Sequence, residues 1–407
     1  MYLSNNELII ALSLLFILSY LFNFISAKIR IPSVLLLLGT GMILKAMAAK
    51  FGITFVFPQS SLELIGTFGL ILIVLEASLD LHLTKDEMPT VRSAFASGVI
   101  IFLISTLAIA LILKFWLGTS LKQAVINGIP LAVISSAIAI PSVATMNKQV
   151  KSFIIYESTF SDIIGIMIFN YAIQENILNY KTIGALGLSF ISILIISFLA
   201  SGLLIFLMSK IRHQKKFFLI IVILLLIYAI GKEAHLPSLL MVLVFGLMTG
   251  NFKYLVKGKF AKHFNSEHLS LQLTPFKAFT EETAFLIRTF FFVLFGYSVN
   301  LQELLEMKIL LPGLAITASL LLIRYIYIRF TVKEGYRVAK LFLAPRGLIT
   351  VILFYSIPAQ YILPDFTIGV VFIVIILTGL MMTLSLILGE KGINLNTLTP
   401  PTEEKRI

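Results

Sequence analysis

FIIYESTFSDIIGIMIFNYAIQ, residues 153–174, places Glu157 and Asp162 inside a run that is otherwise apolar and long enough to cross a bilayer. A charged Asp near the centre of a spanning helix costs roughly 2.5–3.5 kcal/mol even on lenient insertion scales, so an acid kept there faces a partner or a watery cavity. The rest of the chain suits the same solvent. Of its 407 residues 58% are hydrophobic and 13% charged, and the mean hydropathy is +1.00; soluble domains carry about a quarter charged residues. An all-α polytopic membrane protein is predicted, because a helix satisfies its own backbone in lipid. The chain has no cysteine, which excludes disulfides and thiolate chemistry. MYLSNNELII has no Lys or Arg before the first apolar run, so that run is read as a retained span rather than a cleaved signal.

At about 20 residues per crossing, thirteen spans are predicted: 7–26, 31–49, 62–81, 93–117, 122–147, 152–175, 182–209, 216–233, 236–251, 279–299, 308–330, 337–361 and 366–389. Lys and Arg in alternate connections number roughly 22 on one side against 7 on the other. The positive-inside rule then puts the C-terminus in the cytoplasm and the N-terminus outside, in the cytoplasmic membrane. It also accounts for the net charge of +12 without a nucleic-acid partner. Residues 1–389 form the transmembrane domain and 390–407 a polar cytoplasmic tail. The basic loop of Lys253, Lys257, Lys259, Lys262, His263 and His268 follows from topology. Arg288 and Arg324, near cytoplasmic ends, are expected to snorkel, and Glu76 to mark an interfacial helix end. The run Phe290–Phe292 is read as packing.

Two short phrases recur in the same order. Ile31-Pro32-Ser33-Val34-Leu35-Leu36 opens span 2 and Leu236-Pro237-Ser238-Leu239-Leu240-Met241 opens span 9; Ala77-Ser78-Leu79-Asp80-Leu81 closes span 3 and Tyr297-Ser298-Val299-Asn300-Leu301 closes span 10. Aligning spans 1–6 with 8–13 leaves span 7 as a linker and makes the repeat inverted, a common build of secondary transporters. In that alignment span 5, with Gly128, Pro130 and Pro141, matches span 12, with Pro345, Gly347 and Pro358. Pro removes an amide donor and frees a carbonyl, so two crossed, broken helices are expected, with breaks at Pro141, Pro345 and Gly347.

Asp162 and Arg346 each lie about nine residues from a cytoplasmic end, roughly 14 Å deep and near the bilayer midplane. The step from Glu157 to Asp162 turns about 140°, so the acids face different ways, while Ser158 and Asp162 share a face. The expected arrangement is a structural ion pair of Glu157 with Arg346, leaving Asp162 uncompensated. Such a carboxylate lowers its cost by taking a proton or a cation. If the two exclude each other, each cycle carries one against the other and exchange is electroneutral. Ser158 and Ser161, with the carbonyls of Ala139 and Ile140, are the expected oxygen ligands beside the metal-binding Asp162. No covalent catalysis and no cofactor is implied.

These motifs carry a resemblance. Glu157, Ser158, Ser161 and Asp162 are similar to the Glu-Ser-x-x-Asn-Asp of sodium/proton members of the monovalent cation/proton antiporter family, with Ser161 in place of Asn. Pro345-Arg346-Gly347 resembles its Pro-Arg-Gly, whose Arg pairs with the Glu; IPSVLLLLGTG, LEASLDL and FFFVLFGYSV extend the likeness over nearly the whole chain. The resemblance implies a homodimer in membrane lipid, with a dimerising scaffold (spans 1–3 and 8–10) and a core (spans 4–6 and 11–13) that moves as an elevator. The sodium branch carries Thr-Asp-Pro where this chain reads Ala139-Ile140-Pro141, and SSAIAI resembles the potassium-efflux branch. Potassium therefore stands beside sodium as the cation. The rival readings are a non-transporting sensor or degenerate transporter of the same fold, and a symporter or channel of similar architecture.

Overall fold

In hydrocarbon a backbone amide has no water to bond, so the apolar runs close their own i to i−4 ladders. Among the described residues of the computed structural model every regular element is accordingly a helix. Those residues are 5–29, 31–50, 59–81, 86–143, 146–173, 191–192, 195–207, 216–233, 238–252, 266–331 and 337–395. The helices are α1 (Asn5–Ile29), α2 (Ser33–Lys50), α3 (Gln59–Asp80), α4 (Met88–Leu117), α5 (Leu121–Ala132), α6 (Ser136–Ser142), α7 (Lys148–Ala172) and α8 (Ile195–Leu207). They continue as α9 (Lys216–Glu233), α10 (Leu239–Gly250), α11 (Ser266–Ser298), the short α12 (Leu301–Leu304), α13 (Met307–Thr331), α14 (Arg337–Phe342), α15 (Leu348–Tyr355) and α16 (Ile368–Leu395).

Six stretches among the described residues are long and apolar enough to cross a membrane: Ser33–Lys50, Met88–Leu117, Leu121–Ser142, Lys148–Ala172, Met307–Thr331 and Ile368–Ile387. Their ends follow local chemistry. Pro89 opens α4, where a missing amide donor costs nothing, and Gly118 closes it in the left-handed conformation at φ 63°. Ser120 caps α5 by accepting from Gln123 N at 3.3 Å, and Asn147 caps α7 by accepting from Val150 N at 2.9 Å.

Several expected boundaries shift. The tenth span belongs to a longer helix that begins at Ser266, and α16 runs into the expected tail as far as Leu395. Of the seventh span, 182–190, 193–194 and 208–209 lie outside the described residues, as do Lys253, Lys257, Lys259, Lys262, His263, Leu236, Pro237 and 396–407. Spans 5 and 12 are each two helices, α5 with α6 and α14 with α15. Pro345 and Gly347 lie in the second interruption, at 343–347. The first does not fall at Pro141. It falls at 133–135, and Pro141 sits inside α6.

Helices α2, α3, α10 and α11 pack on one another, with α1 against α2, and a second group is formed by α4, α5, α6, α7 and α13 to α16. Contact between the groups runs chiefly through α3, against α6 and α15. The first group closes on glycines: a Cβ at Gly41 would overlap the Val293 carbonyl, and one at Gly296 would overlap that of Leu38. Beside this seam Phe291, Phe292 and Phe295 are fully buried, and Phe290 meets Phe16 edge-on at 4.7 Å between ring centroids. Gly296→Ala is therefore expected to lower stability by about 1–3 kcal/mol, since the obstacle is backbone and cannot rotate away. A Cβ at Gly39 of α2 would meet nothing within 4 Å, so Gly39→Ala is expected to gain up to about 1 kcal/mol from helix propensity. Thermal unfolding in detergent, followed by circular dichroism, compares the two.

Candidate ion-exchange site

The two interruptions cross. Ser135 N donates to Pro345 O at 2.8 Å, and Gly347 gives the room for this approach. A Cβ there would sit 2.6 Å from Ile138 Cδ1 and 2.8 Å from Ser135 Oγ. Its φ of −176° is ordinary extended backbone, so space and not conformation calls for glycine. The carbonyls that end α5 have no helical donors, and Arg346 supplies them. Nε donates to Leu131 O at 2.9 Å and Nη2 to Ala132 O at 3.3 Å, while Nη1 donates to Ala344 O at 2.6 Å. The main-chain amide of Arg346 is held by Thr378 Oγ1 at 3.1 Å. A cation at a helix C-terminus also matches the helix dipole.

Beyond the break, α6 begins at Ser136, whose amide donates to Asp162 Oδ2 at 3.3 Å. Asp162 is fully buried, and its Oδ1 has no hydrogen-bond partner. The hydroxyls of Ser135 and Ser136 are likewise buried without a hydrogen-bond partner. A buried carboxylate oxygen left open demands a proton or a cation. Unpartnered hydroxyl oxygens beside it are the donors that a hard monovalent cation takes up.

The other expected ligands are placed differently. Ser161 is at the break, where its Oγ accepts from Ile134 N at 2.9 Å. Ser158 turns to its own helix and donates to Ile154 O at 2.8 Å. The carbonyls of Ala139 and Ile140 accept from Val143 N at 3.2 and 3.3 Å, closing the last turn of α6. Asp162 is held instead at the first residue of α6, because the helix is interrupted before Ser136 and not at Pro141. Ser135 and Ser136 are not among the expected ligands, although the SSAIAI phrase contains them.

The expected pairing of Glu157 with Arg346 is not formed. Glu157 is clasped by Arg324 of α13, with Nη1 to Oε1 at 3.0 Å and Nη2 to Oε2 at 2.7 Å, and Oε1 also accepts from the Ser97 hydroxyl of α4. Arg324 Nε donates to Lys340 O at 2.8 Å. Arg324 is 2% exposed and Arg288 8%, so neither snorkels. The expected spans held the signal: counted from position 152 of the sixth span and position 330 of the eleventh, Glu157 and Arg324 lie about equally deep by rise per residue, whereas Arg346 shares the depth of Asp162 only in that count. The two acids do face different helices, Glu157 toward α4 and α13 and Asp162 toward α6.

A buried acid at the crossing of two interrupted helices is the architecture of an ion carrier, and the sequence agrees: the family described as sodium/hydrogen exchanger, transmembrane, matches residues 11–388. The chain belongs to the sodium/hydrogen exchanger family. Its fold is similar to that of the sodium proton antiporter MjNhaP1 from Methanocaldococcus jannaschii at pH 8, with 20% identity and a TM-score of 0.68 over 96% of this chain and 98% of that one. A second structure of MjNhaP1, from an electron-microscopy map, matches over 100% of both chains with 20% identity and a TM-score of 0.66. No curated protein matches at the sequence level. Like its family, this chain is a multi-pass membrane transporter. Among the described residues no group of three or more His, Cys, Asp or Glu is placed to hold a metal ion.

Proposed function

We propose that the chain exchanges one monovalent cation, Na⁺ or K⁺, for one proton at Asp162. The observation that carries this reading is the unpartnered Oδ1 of a fully buried carboxylate at the crossing of two broken helices. Glu157 is neutralised by Arg324, and Arg346 is occupied by the carbonyls at the end of α5. Asp162 is then the group whose charge changes, so the exchange is electroneutral.

Alternating access follows if the group holding α4 to α7 and α13 to α16 slides as an elevator against the other, which dimerises with a second copy in the lipid. The basic connections support a location in the cytoplasmic membrane with the C-terminus inside. Ala139 and Ile140 stand where the sodium branch has Thr and Asp, and loss of those ligands favours the more weakly hydrated K⁺. The same loss motivates the rival reading of a degenerate, non-transporting relative.

Proteoliposomes with an acid lumen and a pH-sensitive dye decide between them. Adding Na⁺ or K⁺ is expected to release protons, at a rate unchanged when the membrane potential is clamped. No response to any monovalent cation would sink antiport, and a potential-dependent rate would sink electroneutrality. Because proton and cation compete for one carboxylate, low pH excludes the cation and suppresses exchange. A tenfold rise in cation concentration is expected to move this acid limb down by about one pH unit, as mass action at one shared site requires. An acid limb that ignores cation concentration would mean separate sites.

A further inference from the structure

Pro141 has no amide hydrogen, so the Ala137 carbonyl one turn earlier has no helical donor. Arg288 of α11 fills that place, its Nη1 donating to Ala137 O at 3.3 Å. Nη2 of the same guanidinium lies 3.5 Å from Glu76 Oε2 of α3. Both α3 and α11 belong to the first packing group, whereas Ala137 is the residue after Ser136, whose amide holds Asp162. A buried charge on one group thus grips the half-helix that touches the exchange carboxylate on the other. Its Nε has no hydrogen-bond partner.

We propose that Arg288 is a positioning residue: a tether, anchored by Glu76, that holds α6 and the Asp162 site against α3 and α11 in this conformation and lets go when the site changes side. This rests on the alternating-access reading above. The contact to Ala137 is made by backbone, so it reports the position of α6 and not the identity of a side chain.

The chain has no cysteine, so an introduced pair reports this conformation alone. A Cβ at Gly69 of α3 lies 3.7 Å from Leu348 Cδ1 of α15, which makes Gly69→Cys with Leu348→Cys a suitable pair. The full-length double variant in proteoliposomes is treated with a short bifunctional methanethiosulfonate, and the remaining free thiols are counted. Adding Arg288→Gln is expected to slow cross-linking at least threefold and Glu76→Gln at least twofold. Arg288→Lys, which keeps the charge and a donor, is expected to retain more than half the parent rate. Smaller effects of Arg288→Gln or Glu76→Gln, or an Arg288→Lys as slow as Arg288→Gln, would overturn the tether. If Arg288→Gln does not fold, the other two variants decide. Thiol counting needs no transport: cross-linking that responds in a protein exchanging no cation would refute antiport and leave the tether standing, and the reverse pattern would refute the tether alone.

Discussion

Asp162→Asn is expected to reduce cation-dependent proton release to the level of protein-free vesicles while leaving the protein folded. Asn keeps the size of Asp, and its amide oxygen still accepts from Ser136 N, the one hydrogen bond that Asp162 makes to the start of α6. What is lost is the charge and the ability to bind a proton, and the proposed exchange consists of nothing else. The same substitution removes an uncompensated charge from the membrane interior, where its cost is roughly 2.5–3.5 kcal/mol on the lenient scale. The thermal midpoint is therefore expected to rise or stay level. Loss of activity with retained or higher stability is a signature that a merely structural acid would not give. An Asp162→Asn protein with wild-type exchange would refute the site, and one that unfolds would assign Asp162 to the fold.

Much of this site is legible in the sequence because helical geometry acts locally. The 3.6-residue period separates Glu157 from Asp162, and the two acids indeed meet different helices. Pro345 and Gly347 lie in an interruption because the local chain there cannot complete a helix. The other interruption departs from Pro141 for a physical reason. A proline withholds its hydrogen bond from the residue four earlier, so Pro141 frees Ala137, and α6 tolerates this because Arg288 supplies the missing donor. What opens the chain at 133–135 is tertiary: the Ser161 hydroxyl takes the Ile134 amide and the Pro345 carbonyl takes that of Ser135. No local pattern records those partners. The choice of Arg324 over Arg346 is tertiary as well, since Arg346 is drawn to carbonyls that exist only because α5 ends at Ala132.

The pair of Glu157 and Arg324 should be the costliest single point at which to break the fold. Both side chains are almost fully buried, at 1% and 2% exposure, and the guanidinium meets the carboxylate through two parallel hydrogen bonds. Arg324→Met removes one partner and leaves a carboxylate in a low-dielectric interior with the Ser97 hydroxyl as its remaining donor, a change worth about 3–5 kcal/mol. Replacing both, as Glu157→Leu with Arg324→Met, removes the stranded charge together with its desolvation penalty, and such exchanges are often neutral. The expected order of stability is thus wild type and double variant above either single one, read by thermal unfolding in detergent. If the double variant is as unstable as Arg324→Met, packing and not the stranded charge carries the loss. Exchange adds a second axis, because a purely structural pair predicts that the stable double variant still transports. A double variant that is stable yet inactive would instead place Glu157 and Arg324 in the transport step itself, making the charge of α7 and α13 part of what moves with the ion.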